Sequence, residues 1–147
     1  MSLALHATGS YLGSASADGS WALTDISEGT VVRKYTSESV GAYTCGQFHP
    51  DGQLYAGAGA HKHIFIWDVS KPEPVQTFDG PNAITSLSFS ENGYYLAAGD
   101  ESGLVKIWDL RKLKTVVDLK VSIDRIVWLE IGKDNSNGGF YCDGASE

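Results

Sequence analysis

The sequence predicts an all-β fold assembled from a repeated four-stranded antiparallel sheet, and three observations lead to that class. Two Trp-Asp pairs lie 41 residues apart, at 67–68 and 108–109. A second motif recurs at nearly the same interval, at 5–9, 48–52 and 89–93. Glycines interrupt every repeat, and no apolar stripe with a helical period survives, which disfavours helices. Regular spacing of this kind indicates a repeat architecture.

The repeats align as three windows that superpose without a gap, residues 5–26, 48–69 and 89–110. A β-rich segment ends at Leu5, Phe48 or Phe89, and a tight turn follows at 8–9, 51–52 or 92–93. Asp-Gly and Asn-Gly are the favoured two-residue hairpin turns because glycine tolerates a positive φ and Asp or Asn nearly does. A strand of small residues comes next, at 13–16, 56–59 and 97–99.

Two further strands complete each unit. A second turn is predicted at 18–19, 61–62 and 102–103, and an apolar strand at 21–23, 64–67 and 105–108. The last strand has its core at 31–32, 75–78 and 116–117. Four short strands in a unit of about 41 to 43 residues are typical of a β-propeller blade.

The chain length sets the number of blades. Residues 1–147 are predicted to form one incomplete propeller of about three blades and part of a fourth, with a divergent tail from about residue 121. The small second strands are expected where blades converge on a central channel, and the apolar third strands where neighbouring blades cover both faces. An unclosed ring exposes an apolar face at each end, so we expect a truncated or two-part propeller.

The Trp-Asp pairs are expected to be structural. Trp67 and Trp108 would bury large rings between blades, with the indole N–H available to a neighbouring polar group. Asp68 and Asp109 would accept backbone N–H bonds where the strand ends. The first window has Thr24 in place of the tryptophan, so that Asp25 alone keeps the signature there.

A Trp-Asp pair that closes a repeat of this length resembles the WD-repeat family of β-propellers, and the resemblance covers residues 5 to about 120. The Gly-His pair that usually opens such a repeat is absent. The aspartate that the family places in the turn before the apolar strand is present as Asp18, but His61 and Ser102 stand at the aligned positions. The hydrogen-bonded His-Asp-Ser-Trp network of the family is therefore not expected in full, and apolar packing is expected to matter more.

Longer strings at 5–12, 89–97 and 107–114 resemble the C-terminal WD-repeat domain of the family of pre-mRNA-processing factor nineteen. The resemblance implies a nuclear, homo-oligomeric U-box ubiquitin-protein ligase that acts in splicing and DNA repair. Its catalytic U-box and its coiled coil precede the propeller and are not in this chain. What it implies for these residues is a non-catalytic scaffold that recruits spliceosomal or ubiquitination partners. A generic WD-repeat scaffold in signalling or trafficking is the alternative, and a propeller hydrolase is the least favoured class.

Composition narrows the classes further. A hydrophobic share of 42% excludes a disordered tail. No stretch approaches the roughly 20 apolar residues of a membrane span, and no secretory leader is visible. A net charge of −7 opposes nonspecific phosphate binding, so direct contact with nucleic acid is not expected. We expect a soluble intracellular protein, nuclear by its resemblance, that binds other proteins and needs no cofactor.

No catalytic, cofactor or metal site is predicted from the remaining residues. His61 and His63 lack the further ligands that a metal needs, and an exposed turn is expected there. His6 and His49 begin equivalent turns, which predicts a shared structural role.

Three other sequence patterns do not predict a disulfide, a dinucleotide-binding site or a catalytic carboxylate pair. Cys45 is expected to be a buried small hydrophobe, and a disulfide with Cys142 would need Cα atoms within about 7 Å. The glycines of residues 57–62 lack the third glycine and the helix of a dinucleotide site. Asp100 and Glu101 are adjacent, whereas paired catalytic carboxylates face each other across a cleft.

One basic segment indicates a candidate site for binding a partner. Five of the eleven basic residues fall within fifteen positions, namely Lys106, Arg111, Lys112, Lys114 and Lys120. Among them, Arg111, Lys112 and Lys114 are the predicted partner-binding residues, suited to an acidic or phosphorylated peptide or to RNA backbone. A solvated hairpin between the third and fourth strands is the alternative.

Overall fold

The computed structural model describes residues 2–36, 41–80, 82–121, 126–133 and 140–146. Within these ranges the fold is all-β and contains no helix, and it holds three four-stranded antiparallel sheets followed by a hairpin. The predicted fold class is thereby confirmed.

The strands follow one another in sequence order within each sheet. Blade 1 contains β1 (Ser2–Leu5), β2 (Tyr11–Ala15), β3 (Ser20–Asp25) and β4 (Thr30–Thr36). Blade 2 contains β5 (Tyr43–Phe48), β6 (Leu54–Gly59), β7 (His63–Asp68) and β8 (Pro74–Asp79). Blade 3 contains β9 (Ile84–Phe89), β10 (Tyr95–Asp100), β11 (Leu104–Asp109) and β12 (Lys114–Lys120). The terminal hairpin pairs β13 (Ile126–Lys133) with β14 (Phe140–Ser146).

The first turn of every blade has the same geometry. Gly9, Gly52 and Gly93 adopt φ values of 74°, 74° and 72°, a region that only glycine occupies at low cost. Each of these glycines donates its N–H to the carbonyl oxygen three residues earlier at 2.9 Å. The turn is therefore one structure, repeated three times. It differs from the predicted two-residue hairpin, because it spans residues 6–9, 49–52 and 90–93 and only its glycine has a positive φ.

The core lies between the sheets, so every blade is stabilised by its neighbours. Between blades 1 and 2, Trp21 stacks on Tyr35 with ring centroids 3.9 Å apart, and on Tyr55 at 4.2 Å. Trp67 is fully buried in the same cluster, and its indole N–H donates to the Tyr43 hydroxyl at 3.0 Å, as expected of this tryptophan. Aromatic rings of this size carry most of the apolar area that such an interface removes from water.

The next two interfaces are mainly aliphatic. Between blades 2 and 3, Ile64 and Ile66 pack with Leu87, Phe89 and Trp108. Between blade 3 and the terminal hairpin, Ile131 packs with Ala97, Val105 and Ile107.

The small residues of the second strands leave room for aromatic rings, from the next blade at Gly13 and from the same blade at Gly57. A Cβ atom at Gly13 would lie 2.8 Å from a Phe48 ring carbon and 3.1 Å from a Tyr55 ring carbon. A Cβ atom at Gly57 would lie 2.5 Å from the ring of Tyr43, which precedes it on β5. The crowding that selects small residues therefore comes from neighbouring aromatic rings.

Two histidines join consecutive blades. His6 Nε2 lies 2.8 Å from the carbonyl oxygen of Gly52, and His49 Nε2 lies 2.7 Å from that of Gly93. A carbonyl oxygen only accepts hydrogen bonds, so each imidazole donates from Nε2. Each ring also packs edge-on against the phenylalanine of the next blade interface, at 5.1 Å and 5.2 Å. The shared structural role predicted for His6 and His49 is confirmed.

Candidate interaction surface

The connection between β11 and β12 carries the predicted partner-binding residues. Asp109, at the end of β11, accepts the backbone N–H groups of Arg111 at 2.9 Å and Lys112 at 3.3 Å. Asp25 and Asp68 accept equivalent N–H bonds after β3 and β7. These aspartates replace the missing ladder partners where the strand ends, which is the role expected for Asp68 and Asp109.

Arg111 is paired inside this connection. Its Nη2 lies 2.9 Å from Asp109 Oδ2 and its Nε lies 3.2 Å from Oδ1. The hydrogen bond from Arg111 lowers the pKa of Asp109, and the same bond raises the pKa of Arg111. The guanidinium carbon also sits 4.3 Å from the centroid of the Tyr94 ring, in cation–π geometry. The guanidinium is thus fixed in position, and its charge is largely balanced locally.

The basic segment divides between the two ends of blade 3. Asp109 pairs with Lys114 at one end of the β11–β12 ladder, and Leu104 pairs with Lys120 at the other. Six residues of strand separate these ends by roughly 17 Å. Lys106 lies between them, 3.9 Å from Asp118 and over the Trp108 ring. Lys112 and Lys114 therefore remain as the exposed cations beside Arg111.

Two exposed apolar side chains complete this surface. Leu113 is 56% exposed and holds a φ of 52°, where blade 1 has Gly29. A left-handed conformation costs a residue with a Cβ about 1–2 kcal/mol. Tyr94 is 46% exposed beneath the Arg111 guanidinium. We call these five residues the Tyr94–Lys114 surface, namely Tyr94, Arg111, Lys112, Leu113 and Lys114.

Sequence reasoning missed Tyr94 and Leu113. The signal for Leu113 was Gly29, which follows Asp25 by four residues as Leu113 follows Asp109, and which marks the position as a left-handed one. Tyr94 follows the Asn-Gly turn, where the other windows have Gln53 and Ser10. Tyr94 is assigned to the surface because the Arg111 guanidinium stacks on its ring, and the sequence does not indicate this contact.

The turn before the third strand holds an aspartate that the alignment missed. In blade 3, Asp100 is fully buried, and its Oδ1 accepts hydrogen bonds from Ser102 N, Ser102 Oγ and Leu104 N at 2.8–2.9 Å. Its Oδ2 accepts a further bond from Asn82 Nδ2 at 3.0 Å. In blade 1, Asp18 bonds Ser20 in a similar way. Blade 3 therefore keeps a turn aspartate, two positions before the aligned Ser102.

Of the histidine pair of blade 2, His61 lies in the exposed turn that was expected, whereas His63 is the first residue of β7 and is half-buried. His63 Nδ1 lies 2.6 Å from Asp79 Oδ1, and His61 is exposed. In the part of the chain that the structure describes, no group of three or more His, Cys, Asp or Glu residues is arranged to hold a metal ion. No helix in the described ranges is long and apolar enough to cross a membrane.

Cys45 is half-buried, less than predicted, and packs at the edge of the interface between blades 2 and 3. Burial raises the pKa of its thiol to about 12. The proposed pairing partner, Cys142, has a side chain outside the described residues. Residues 57–59 lie inside β6, where Gly57 and Ala58 pair with β7 and Gly59 pairs with Tyr43 on β5, so they form no phosphate-binding turn.

Comparison with known families finds one match. The model described as "WD domain, G-beta repeat" matches residues 29–68 and 72–109, more than half of the chain. Each matched segment runs from the last strand of one blade, or the turn before it, to the third strand of the next. The sequence repeat therefore links two blades, because its first strand pairs with the sheet that precedes it.

Several characterised proteins are similar in sequence. Pre-mRNA-processing factor 19 homolog 2 of Arabidopsis thaliana is 42% identical over 112 residues, which cover 75% of this chain and 21% of that protein. Pre-mRNA-processing factor 19 of Bos taurus is 48% identical over 89 residues, 59% of this chain and 18% of that protein. Small ribosomal subunit protein RACK1 of Medicago sativa is 38% identical over 95 residues, 63% of this chain and 29% of that protein. The chain spans about a fifth of the length of the pre-mRNA-processing relatives.

Proposed function

This chain belongs to the WD-repeat family, and from that premise we propose that it is a non-catalytic protein-interaction module of the pre-mRNA splicing machinery. The observation that carries the proposal is the 42% identity over 112 residues to a pre-mRNA-processing factor. By the same resemblance, its partners are spliceosomal proteins or substrates of ubiquitination, and it acts in the nucleus and in DNA repair. The parent protein would then be a homo-oligomeric ubiquitin ligase whose catalytic and oligomerising segments lie outside these residues.

The Tyr94–Lys114 surface has the composition of a docking site. Tyrosine and arginine are enriched where binding energy concentrates. Tyrosine offers a large contact area at a low cost in conformational entropy. Arg111 is held by Asp109 and by the Tyr94 ring, so little freedom remains to be lost on binding. The strain at Leu113 also places an exposed apolar side chain between two lysines. Strained residues cluster at functional sites.

The favoured partner of this surface is an acidic protein segment with an apolar residue. Lys112 and Lys114 are exposed and lie outside the Arg111–Asp109 pair, so they can meet carboxylates. Leu113 and Tyr94 add apolar contacts that an RNA backbone would not use. Exposed charged residues at the edge of an interface, as Lys112 and Lys114 would be, act mainly on the association rate and its salt dependence.

The experiment is recovery of partners from nuclear extract with the 147-residue chain as bait. A Lys112→Glu/Lys114→Glu variant is expected to lose spliceosomal partners and to show a flatter salt dependence. The matched control, Lys62→Glu/Lys120→Glu, changes the charge equally at exposed lysines elsewhere and should retain them. Equal recovery by both variants would contradict the role of the surface. An RNA that displaces the bound proteins would replace the acidic segment as the partner.

A general WD-repeat scaffold in signalling or trafficking is the second candidate. The 38% identity over 95 residues to a protein named for the small ribosomal subunit keeps a general scaffold in view, because a relative outside pre-mRNA processing is nearly as similar as the splicing factors. Recovery of signalling or coat proteins without spliceosomal ones would decide for this candidate.

A further inference from the structure

The turn that follows the third strand is closed by a serine in blades 1 and 2 and by an arginine in blade 3. Ser27 donates its hydroxyl to the aspartate that ends β3, at 2.6 Å, and Ser70 does the same after β7. Arg111 stands at the equivalent place after β11, where its Nε donates to Asp109 at 3.2 Å. A serine hydroxyl is therefore sufficient for this turn, and the guanidinium of Arg111 offers a surface that the turn does not require.

The edge of the Arg111 guanidinium is already engaged within the blade. Nε and Nη2 each bond one carboxylate oxygen of Asp109, and Nη2 also lies 3.4 Å from the Tyr95 hydroxyl. An arginine binds a carboxylate most strongly through two parallel N–H···O bonds, and Asp109 already occupies the pair formed by Nε and Nη2. These contacts leave Nη1, so an incoming carboxylate would gain a single bond here.

The two faces of the guanidinium differ in their surroundings. One face lies on the Tyr94 ring, 4.3 Å from its centroid. The Tyr95 ring centroid is 5.7 Å away and its hydroxyl is the nearer part, so this ring does not cover the second face. Half of the Arg111 side chain is exposed, and among the described residues no other ring lies over the guanidinium. The face opposite Tyr94 is therefore the part of Arg111 that is open to a partner.

We propose that the partner segment places an aromatic side chain on this open face, so that Tyr94, Arg111 and the partner ring form one stack. The inference rests on the proposed function, because it specifies a residue within the acidic segment that Lys112 and Lys114 attract. A weakly hydrated guanidinium attracts the negative face of an aromatic ring, whereas an aliphatic side chain lacks that attraction. Asp109 holds the guanidinium in place before the partner arrives, which lowers the cost of ordering it.

A nucleobase also stacks on arginine, but the rest of the chain disfavours it. The net charge is −7, which opposes a phosphate backbone, and the Arg111 charge is paired with Asp109. Binding of single-stranded RNA is therefore an outcome that the experiment must distinguish from binding of the aromatic residue.

The test begins with a phage library of random peptides that is selected against the 147-residue chain. The recovered peptides should be acidic and should carry Phe, Tyr or Trp among the acidic residues. For the tightest of them, replacing the aromatic residue with leucine should weaken binding about two- to fivefold in a fluorescence anisotropy titration, as expected for an exposed cation–π contact. Equal affinity of the aromatic and leucine peptides would overturn the proposal.

Variants of the chain assign this preference to the guanidinium. Arg111→Ser should bind the aromatic and leucine peptides equally, and the turn should survive because Ser27 and Ser70 close the same turn in the other blades. The matched control, Lys112→Ser, removes a cation of the same surface that has no stacked face. It should weaken both peptides by the same factor and so leave their affinity ratio unchanged. An Arg111→Ser chain that keeps the ratio would assign the preference to another group and overturn the proposal.

The Nε–H proton of Arg111 reports the stack without any variant. Its hydrogen bond to Asp109 slows its exchange with water, so its NMR signal can be followed during a titration. A ring placed over the guanidinium should shift this signal upfield, and the leucine peptide should not. Absence of that shift with the aromatic peptide bound would contradict the stacking.

The outcomes also separate this inference from the proposed function. Acidic peptides that show no aromatic preference, but lose affinity for the Lys112→Glu/Lys114→Glu variant, would overturn the stacking and leave the docking surface standing. A selection that recovers no acidic peptide would overturn both. Oligouridine that binds the chain and displaces the aromatic peptide would also overturn the inference, and would assign the open face of Arg111 to a nucleobase.

Discussion

Replacing Asp100 with alanine is expected to destabilise the protein by about 3–5 kcal/mol. The carboxylate is fully buried and accepts four hydrogen bonds, two of them from the backbone N–H groups of Ser102 and Leu104. Each partly buried donor left without an acceptor costs about 1–3 kcal/mol. The lost bonds to Asn82 and to the Ser102 hydroxyl add to this, and removing a buried charge offsets part of the sum.

The assay is urea unfolding followed by tryptophan fluorescence and far-UV circular dichroism. Asp100→Asn keeps an acceptor oxygen for the turn but sets its amide N–H₂ against that of Asn82, so a smaller loss of about 1–2 kcal/mol is expected. Glu101→Ala is the matched control, because Glu101 is adjacent and exposed, and should change stability by less than about 0.5 kcal/mol. An Asp100→Ala protein as stable as the Glu101→Ala protein would refute the reasoning.

Three further predictions concern pH, backbone strain and thiol reactivity. Hydrogen bonds from Ser27, Ser70 and Arg111 lower the pKa of Asp25, Asp68 and Asp109, respectively. Their stabilisation is therefore complete above the unfolded value of about 3.9 and is lost as the pH falls through the folded pKa, so the urea midpoint should drop below about pH 4. Leu113→Gly should raise the unfolding free energy by up to about 1 kcal/mol, since it removes left-handed strain, whereas Leu113→Ala should not. Cys45, whose pKa burial raises to about 12, should react with a thiol reagent at pH 8 at least about 100-fold more slowly in the native chain than in urea.

The strand pattern was predictable because it depends on short-range chemistry. The apolar segment predicted at 64–67 is the centre of β7, and the segment at 105–108 is the centre of β11. The first turns were predictable for the same reason, since glycine takes a positive φ at low cost and follows Thr, Asp or Asn at the same place in every repeat. The shared role of His6 and His49 followed from their equal positions in the repeat, although their acceptors lie on the next blade.

The interaction surface was only partly predictable. Sequence proximity grouped five basic residues, but the β11–β12 ladder places Lys120 at the opposite end from Lys114. Arg111 was predicted to bind an acidic partner, and in the structure its guanidinium pairs with Asp109. Whether it also binds a partner stays a prediction. Tyr94 joins the surface through a stacking contact across two strands, which no local pattern indicates.

The sequence by itself determined the repeat, the four strands of each blade and the turns between them, because hydrophobic alternation and glycine conformation act within a few residues. Only the tertiary structure decided which polar groups find partners. Asp100, and not the aligned residue 102, accepts the hydrogen bonds of its turn, and Arg111 pairs with Asp109. His6 and His49 each donate to a carbonyl oxygen more than forty residues away. The histidine contacts join two sheets, so they exist only after the blades have packed. The contacts of Asp100 and Arg111 lie inside one turn, but which of several polar neighbours each group meets is set by the three-dimensional path of that turn. The same packing leaves Leu5 exposed where Phe48 and Phe89 are buried.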